Sequence, residues 1–137
     1  MKKRLLILLV SVILISGCVK LVPPVDLEKI GTLEGKISIG PICPVERDPP
    51  DPNCQPTEET YKAWQIAVWT TDKENKVALI EPNTDGNYNL ELPVGNYVVD
   101  LEEQKPFGIG GNNLPATITI NSKETTILNV DIDTGIR

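Results

Sequence analysis

Histidine is absent from all 137 residues. That removes the Ser-His and Cys-His pairs of nucleophilic hydrolases and a principal nitrogen ligand of zinc. Positive charge is scarce as well: 13 Lys and Arg stand against 19 Asp and Glu, a formal net charge of −6. Nucleic-acid binding needs a basic patch that displaces counterions, so that class is excluded. No window of about 10 to 15 residues in the body of the chain keeps a helical period. After residue 15 no apolar run approaches the roughly 20 residues that a membrane span requires. Cysteine is limited to Cys18, Cys43 and Cys54, too few ligands for a structural zinc site without histidine. No metal or other cofactor is expected.

What is present begins at the first residue. Met1-Lys2-Lys3-Arg4 is a basic flank, and Leu5 to Ile15 is apolar except for Ser11. This is the pattern of a secretory signal peptide, too short to span a bilayer comfortably. Leu14-Ile15-Ser16-Gly17-Cys18 then resembles the bacterial lipobox, in which an aliphatic residue and two small ones precede a cysteine. The resemblance implies that the Cys18 thiol receives a diacylglyceryl group and that cleavage leaves Cys18 first in the mature chain. Residues 1 to 17 are thus expected to be a signal peptide, residues 18 to 29 a lipidated cysteine and tether, and residues 30 to 137 one domain. About 120 mature residues suffice for one core and not two. Two or more acyl chains hold a protein stably at a membrane, at about 0.8 kcal/mol per buried methylene. Val19 supplies no acidic retention signal, so in an organism with two membranes the outer one is expected. Cleavage removes Lys2, Lys3 and Arg4, leaving ten basic residues against nineteen acidic ones. The mature domain, near −9, is kept off anionic lipid by its own charge.

With Cys18 committed to lipid, Cys43 and Cys54 form an even pair, and export to an oxidising compartment makes a disulfide the expectation. The segment between them, from Pro44 to Asn53, is rich in proline and charge. It suits neither a helix nor a central strand, and a stapled surface loop follows. Upstream, Pro23-Pro24 stiffens the tether.

The body reads as short runs of Val, Ile, Thr and Tyr separated by Gly, Pro and Asn. Strands are expected at about 31 to 39, 62 to 71, 76 to 81, 87 to 92, 96 to 103, 115 to 121 and 124 to 132. Seven strands with such turn signals indicate an all-β fold, an antiparallel β-sandwich. Alternation assigns faces. Leu33, Ile37 and Ile39 face inward and Lys36 and Ser38 outward. Trp64, Ile66 and Val68 share one face, with Trp69 on the other as a half-covered edge residue or part of a binding patch. Leu128, Val130 and Ile132 face in, with Asn129 and Asp131 out.

The stretch Thr84-Asp85-Gly86-Asn87-Tyr88-Asn89-Leu90-Glu91-Leu92-Pro93-Val94-Gly95-Asn96-Tyr97-Val98-Val99 resembles carboxypeptidase regulatory-like domains, which are transthyretin-like sandwiches. In them an Asp-Gly turn, a strand, a Leu-Pro-x-Gly turn and a Tyr-bearing strand follow in that order. The resemblance spans about residues 31 to 132 and implies fold more than function. Asp85-Gly86 and Gly95-Asn96 are expected to supply the positive φ of hairpin turns, with Pro93 stopping the strand between them. The Pro-rich cysteine loop and the ending from Ile132 to Arg137 lie outside the family's pattern.

Several constellations invite chemistry, and a plainer account exists for each. Glu81 to Gly86 places oxygen residues like a calcium loop, but Leu92 stands where the bidentate glutamate belongs, so a turn is expected. Asp133-Thr134-Gly135 matches the aspartic-protease triplet, but occurs once where two are needed. Lys36 and Asn129 occupy the first and last strands, as in sandwiches with an intramolecular isopeptide; both are expected to point outward, and the helper carboxylate's place is taken by Leu101. Glu58-Glu59 and Glu102-Glu103 are adjacent pairs that a strand would send to opposite faces. The glycine-rich run from Gly108 to Asn113 opens a strand and so lacks a helix dipole for phosphate; a mobile loop is expected.

Two classes of function remain. The first is a non-catalytic binding or structural module holding a cell-surface protein or glycan. The second is a protease inhibitor presenting Arg47 on the disulfide-closed loop, with preorganisation supplying affinity. An enzyme of unrecognised type is the remaining alternative. Arg47 and Trp69 are the candidate binding residues.

Overall fold

A computed structural model describes residues 29–45, 47–49, 51–106 and 109–137. The signal peptide, Cys18 and the tether up to residue 28 lie outside the described residues. Among the described residues nine strands form two sheets: β1 (Ile30–Gly40), β2 (Ile66–Trp69), β3 (Lys76–Ile80), β4 (Asn87–Pro93), β5 (Gly95–Leu101), β6 (Gly110–Gly111), β7 (Ala116–Ile120), β8 (Thr125–Ile127) and β9 (Val130–Asp133). One short helix, α1 (Glu58–Ala63), and a 3-10 turn at Pro52–Cys54 complete the elements of the described residues.

The two sheets enclose the core that alternation predicts. Leu33, Ile37 and Ile39 of β1 are buried together with Ile66, Val68, Val99, Ile120, Val130 and Ile132, while Lys36 and Ser38 are exposed. One sheet runs β3-β2-β5-β7, antiparallel throughout. The other is not the purely antiparallel sheet expected. β1 pairs antiparallel with β4 on one side, and on the other it pairs in parallel with β8 and then with β9, beyond which lies β6. The last run of β residues, expected as one strand over 124 to 132, is therefore two. The break falls at Leu128 and Asn129, opposite Gly35. A Cβ on Gly35 would lie 2.0 Å from the Leu128 carbonyl oxygen, so only glycine admits this close approach. The ladder is repaired locally: Leu128 N–H donates to the Glu34 carbonyl (2.9 Å), and the Asn129 side chain accepts from Lys36 N–H (2.9 Å). The Leu128 carbonyl instead accepts the Tyr88 hydroxyl at 2.5 Å. Burial of that phenol pushes its pKa up to about 12.

The two turns read as hairpins are crossings between sheets. Residues 81 to 86 carry the chain from β3 in one sheet to β4 in the other, and Val94 alone carries it from β4 to β5. Gly86 has the expected positive φ of 84°, whereas Gly95 is not among the positive-φ residues; a one-residue crossing between strands needs no left-handed turn. The Tyr97 hydroxyl donates to the Pro93 carbonyl at 2.9 Å and clamps that corner, in the manner of the tyrosine corners of other sandwiches.

The expected strand over 62 to 71 is also corrected. Its first residues belong to α1, and Trp64 is the C-cap rather than a strand residue sharing a face with Ile66. Thr57 caps the helix and exchanges hydrogen bonds with Thr60, Glu58 and Glu59 occupy the positive first turn, and Lys62 the last. A reciprocal cap with acids first and a base last favours helix even over six residues. Glu58-Glu59 is accordingly a helical pair and not a strand pair.

Candidate functional site

The sandwich has two poles. Lys29, where the described chain begins, lies at one: its carbonyl accepts Val94 N–H at 2.9 Å, and the Ile30 carbonyl accepts Lys123 N–H at 2.8 Å. β1 then runs eleven residues to Gly40, about 35 Å for an extended strand. At that far pole sit the long connections: residues 41 to 65 with the cysteine loop and α1, the crossing at 81 to 86, residues 102 to 115, and the C-terminus. The three cavities described below are all there.

The cysteine loop is closed as predicted. Cys43 and Cys54 are disulfide-bonded with their Cα atoms 5.5 Å apart. Arg47 is exposed on this loop. Asp51 caps the 3-10 turn, accepting from Asn53 N–H at 2.9 Å. Arg47 and Trp69 are not brought together. Trp69 lies in β2, between β3 and β5, and so is not the edge residue expected. It is half-buried on the sheet face opposite Ile66 and Val68, and its Nε1 is buried without a hydrogen-bond partner among the described residues. Two lysines from the β2–β3 hairpin fold onto neighbouring acids, Lys73 to the buried Asp100 at 2.5 Å and Lys76 to Glu102. Glu102 and Glu103 are thus partnered separately, Glu103 by Lys105 at 3.4 Å.

The glycine-rich run is not a mobile loop over its described part. Gly110 and Gly111 form β6 on β9, Asn112 bonds Asp131 through backbone (2.8 Å) and side chain (2.9 Å), and Asn113 donates to the Asn129 carbonyl at 2.7 Å. The calcium-like segment is a turn: Asn83 Oδ1 accepts from the N–H groups of Asp85 (3.0 Å) and Asn87 (2.9 Å). Among the described residues no group of three or more Cys, Asp or Glu side chains is placed to hold a metal ion. Asp133-Thr134-Gly135 is a closed clasp. Arg137 forks onto both Asp133 oxygens (3.0 and 2.7 Å), Gly135 N–H donates to the same carboxylate, and Thr134 ties to Gly40 and Pro41 at the end of β1. The Arg137 hydrogen bonds, then that of Gly135, hold the Asp133 carboxyl down at about 2.

Sequence reasoning missed a groove beside α1. One cavity of about 510 Å3 is lined by Tyr61, Lys62, Gln65, Ile80, Glu81 and Thr84 among others. A second of about 350 Å3 shares Lys62 and Gln65 with it and continues to Glu103 and Lys105. Lys105 also sits 5.2 Å above the Trp64 ring, a cation–π distance. A third, of about 150 Å3, lies between Asp100 and Pro115. The groove lies between α1 and the crossing at residues 81 to 86, and the Thr57 cap was the signal that could have revealed the helix. Burial and the nearby Asp85 push the Tyr61 hydroxyl pKa up.

The sequence matches no protein-family model and no curated protein. Among solved structures the chain is similar to the Bacillus anthracis TIE protein, at 17% identity and TM-score 0.47, over 77% of this chain and 17% of that one. It is similar to GBS52, the minor pilin of Streptococcus agalactiae, at 12% identity and TM-score 0.48, over 77% and 45%. It is similar also to a DUF3823 family protein from Parabacteroides merdae, at 16% identity and TM-score 0.44, over 76% and 46%. The chain spans less than half the length of each. These are distant likenesses of architecture.

Proposed function

We propose that the chain is a lipid-anchored extracytoplasmic protein whose β-sandwich, of the carboxypeptidase regulatory-like type, is a non-catalytic binding module. Anchoring rests on the basic flank, the apolar run and Leu14-Ile15-Ser16-Gly17-Cys18 in that order. The observation that supports the binding role is polarity. The tether joins at Lys29, and the disulfide loop, α1 and its groove lie at the opposite pole, a β1 length away. An acyl anchor at Cys18 would attach at the pole opposite these surfaces and leave them accessible. The family reading rests on residues 84 to 99, on the Gly86 turn and on the Tyr97 corner.

Mass spectrometry of protein extracted from membranes tests the anchor. The expected product begins at a Cys18 carrying acyl chains, and Cys18→Ser should remain uncleaved or leave the membrane. An unmodified Cys18, or cleavage at another bond, would refute it. Turnover of a peptide or glycan panel that survives extensive purification would refute the non-catalytic part.

A further inference from the structure

We propose that the groove beside α1 binds an uncharged saccharide. The proposal deepens the binding-module reading and rests on it. The two cavities, about 510 and 350 Å3, share Lys62 and Gln65 in their walls, and each is in the size range of small-ligand sites.

Charge narrows the ligand. The mature domain is strongly acidic, yet the groove is nearly neutral. Of its lining acids, Glu58 is paired with Lys62 at 2.6 Å and Glu103 with Lys105, both lysines lining the groove themselves. Only Glu81 has no ion-pair partner among the described residues. An anion would meet carboxylates, and a cation would find a single unpaired acid.

Hydrogen bonding narrows it further. The Gln65 amide and the Thr84 hydroxyl each offer donors and acceptors, and neither side chain is hydrogen-bonded to a described residue. An apolar ligand would cover these groups and leave them unsatisfied, which is costly. A sugar presents hydroxyls that both donate and accept, beside an apolar C–H face. The half-buried Tyr61 and Pro82 supply apolar surface for that face, backed by the core residue Ile80.

The test titrates detergent-solubilised full-length protein with neutral oligosaccharides of glucose, of mannose and of N-acetylglucosamine. It is read by calorimetry and by amide chemical shifts. The expected result is binding of at least one series, insensitive to salt, with shifts centred on residues 58 to 65 and 80 to 84. Gln65→Ala and Thr84→Ala should each weaken it up to about tenfold with no change in the denaturation midpoint. Three results overturn the proposal: none of the three series shifts the groove; binding is unaltered by both substitutions; or tetralysine binds there with an affinity that salt abolishes, which would assign the groove to a cationic peptide. Failure of the anchor reading leaves this titration unchanged. Hydrolysis of a saccharide bound in the groove would overturn the non-catalytic reading while upholding the groove as its site.

Discussion

At the Lys29 pole a single residue, Val94, carries the backbone from one sheet to the other, and residues 121 to 124 suffice to join β7 to β8. At the far pole three long connections and the C-terminus are fastened by a disulfide, a capped helix and an ion-paired clasp. Connections of one to four residues leave no room for a site and need no fastening beyond the ladder; the six-residue β2–β3 hairpin on the same side is held by Lys73 on Asp100. Long ones can enclose cavities, and each must offset the entropy of ordering its backbone, about 1–2 kcal/mol per residue. The contrast leaves the first pole to the ladders and puts the room for the proposed binding site at the second.

The joint between the poles is Gly35, where β8 gives way to β9 along β1. The largest expected effect is there. Gly35→Ala puts a methyl 2.0 Å from the Leu128 carbonyl oxygen, which is backbone and already accepts the Tyr88 hydroxyl. The expected loss is about 3 kcal/mol, the upper part of the range for overpacking, read from a urea midpoint. Gly40→Ala, five residues up the same strand, has nothing within 4 Å of its new methyl and should change stability by less than about 0.5 kcal/mol. Equal losses at both positions would show that β1 is uniform along its length and would break the division.

That joint also shows what a sequence conceals. The inward residues of β1, Leu33, Ile37 and Ile39, were legible because parity is local, and so were Val130 and Ile132. The parallel pairing of β1 with β8 and β9 was not, since nothing near Thr125 or Val130 specifies which distant strand it meets. The disulfide was legible from the cysteine count together with the expectation of export. The groove was not, because Trp64, Ile66 and Val68 fit a strand period while the competing signal, Thr57 with two acids after it, spans one helical turn. The reciprocal Thr57–Thr60 cap decided for the helix.

A smaller effect is expected from the disulfide, and it should be uneven between the poles. Replacing Cys43 and Cys54 with Ser removes a constraint on a loop whose ends are eleven residues apart, worth up to about 3 kcal/mol by loop entropy and commonly less. The sandwich should still form, since neither cysteine belongs to the buried core. Native-state hydrogen exchange should accelerate at residues 41 to 57 beyond the global change, and match the global change near Val94 and Ile120. Acceleration spread evenly over both poles would mean that the loop is part of one cooperative unit with the sheets.

The smallest effect belongs to the C-terminal clasp, and pH isolates it. The Asp133 carboxyl sits at about 2 instead of its usual 3.8, held there first by Arg137 and then by Gly135 N–H. A carboxyl depressed in the folded state contributes stability at pH values above 3.8 that is lost as pH falls through 2. Arg137→Met should therefore lower the thermal midpoint slightly at pH 7, and the gap from the parent chain should close between pH 4 and pH 2. The pair is solvent-facing, so the gap should also shrink with added salt. Because Thr134 ties this segment to Gly40 and Pro41, at the root of the cysteine loop, the variant should loosen residues 41 to 45 and leave the Lys29 pole untouched. A gap that persists below pH 2 would show that the arginine acts through the packing of its aliphatic stem and not through its charge, and the clasp would then be an extension of β9 rather than an electrostatic fastening of the far pole.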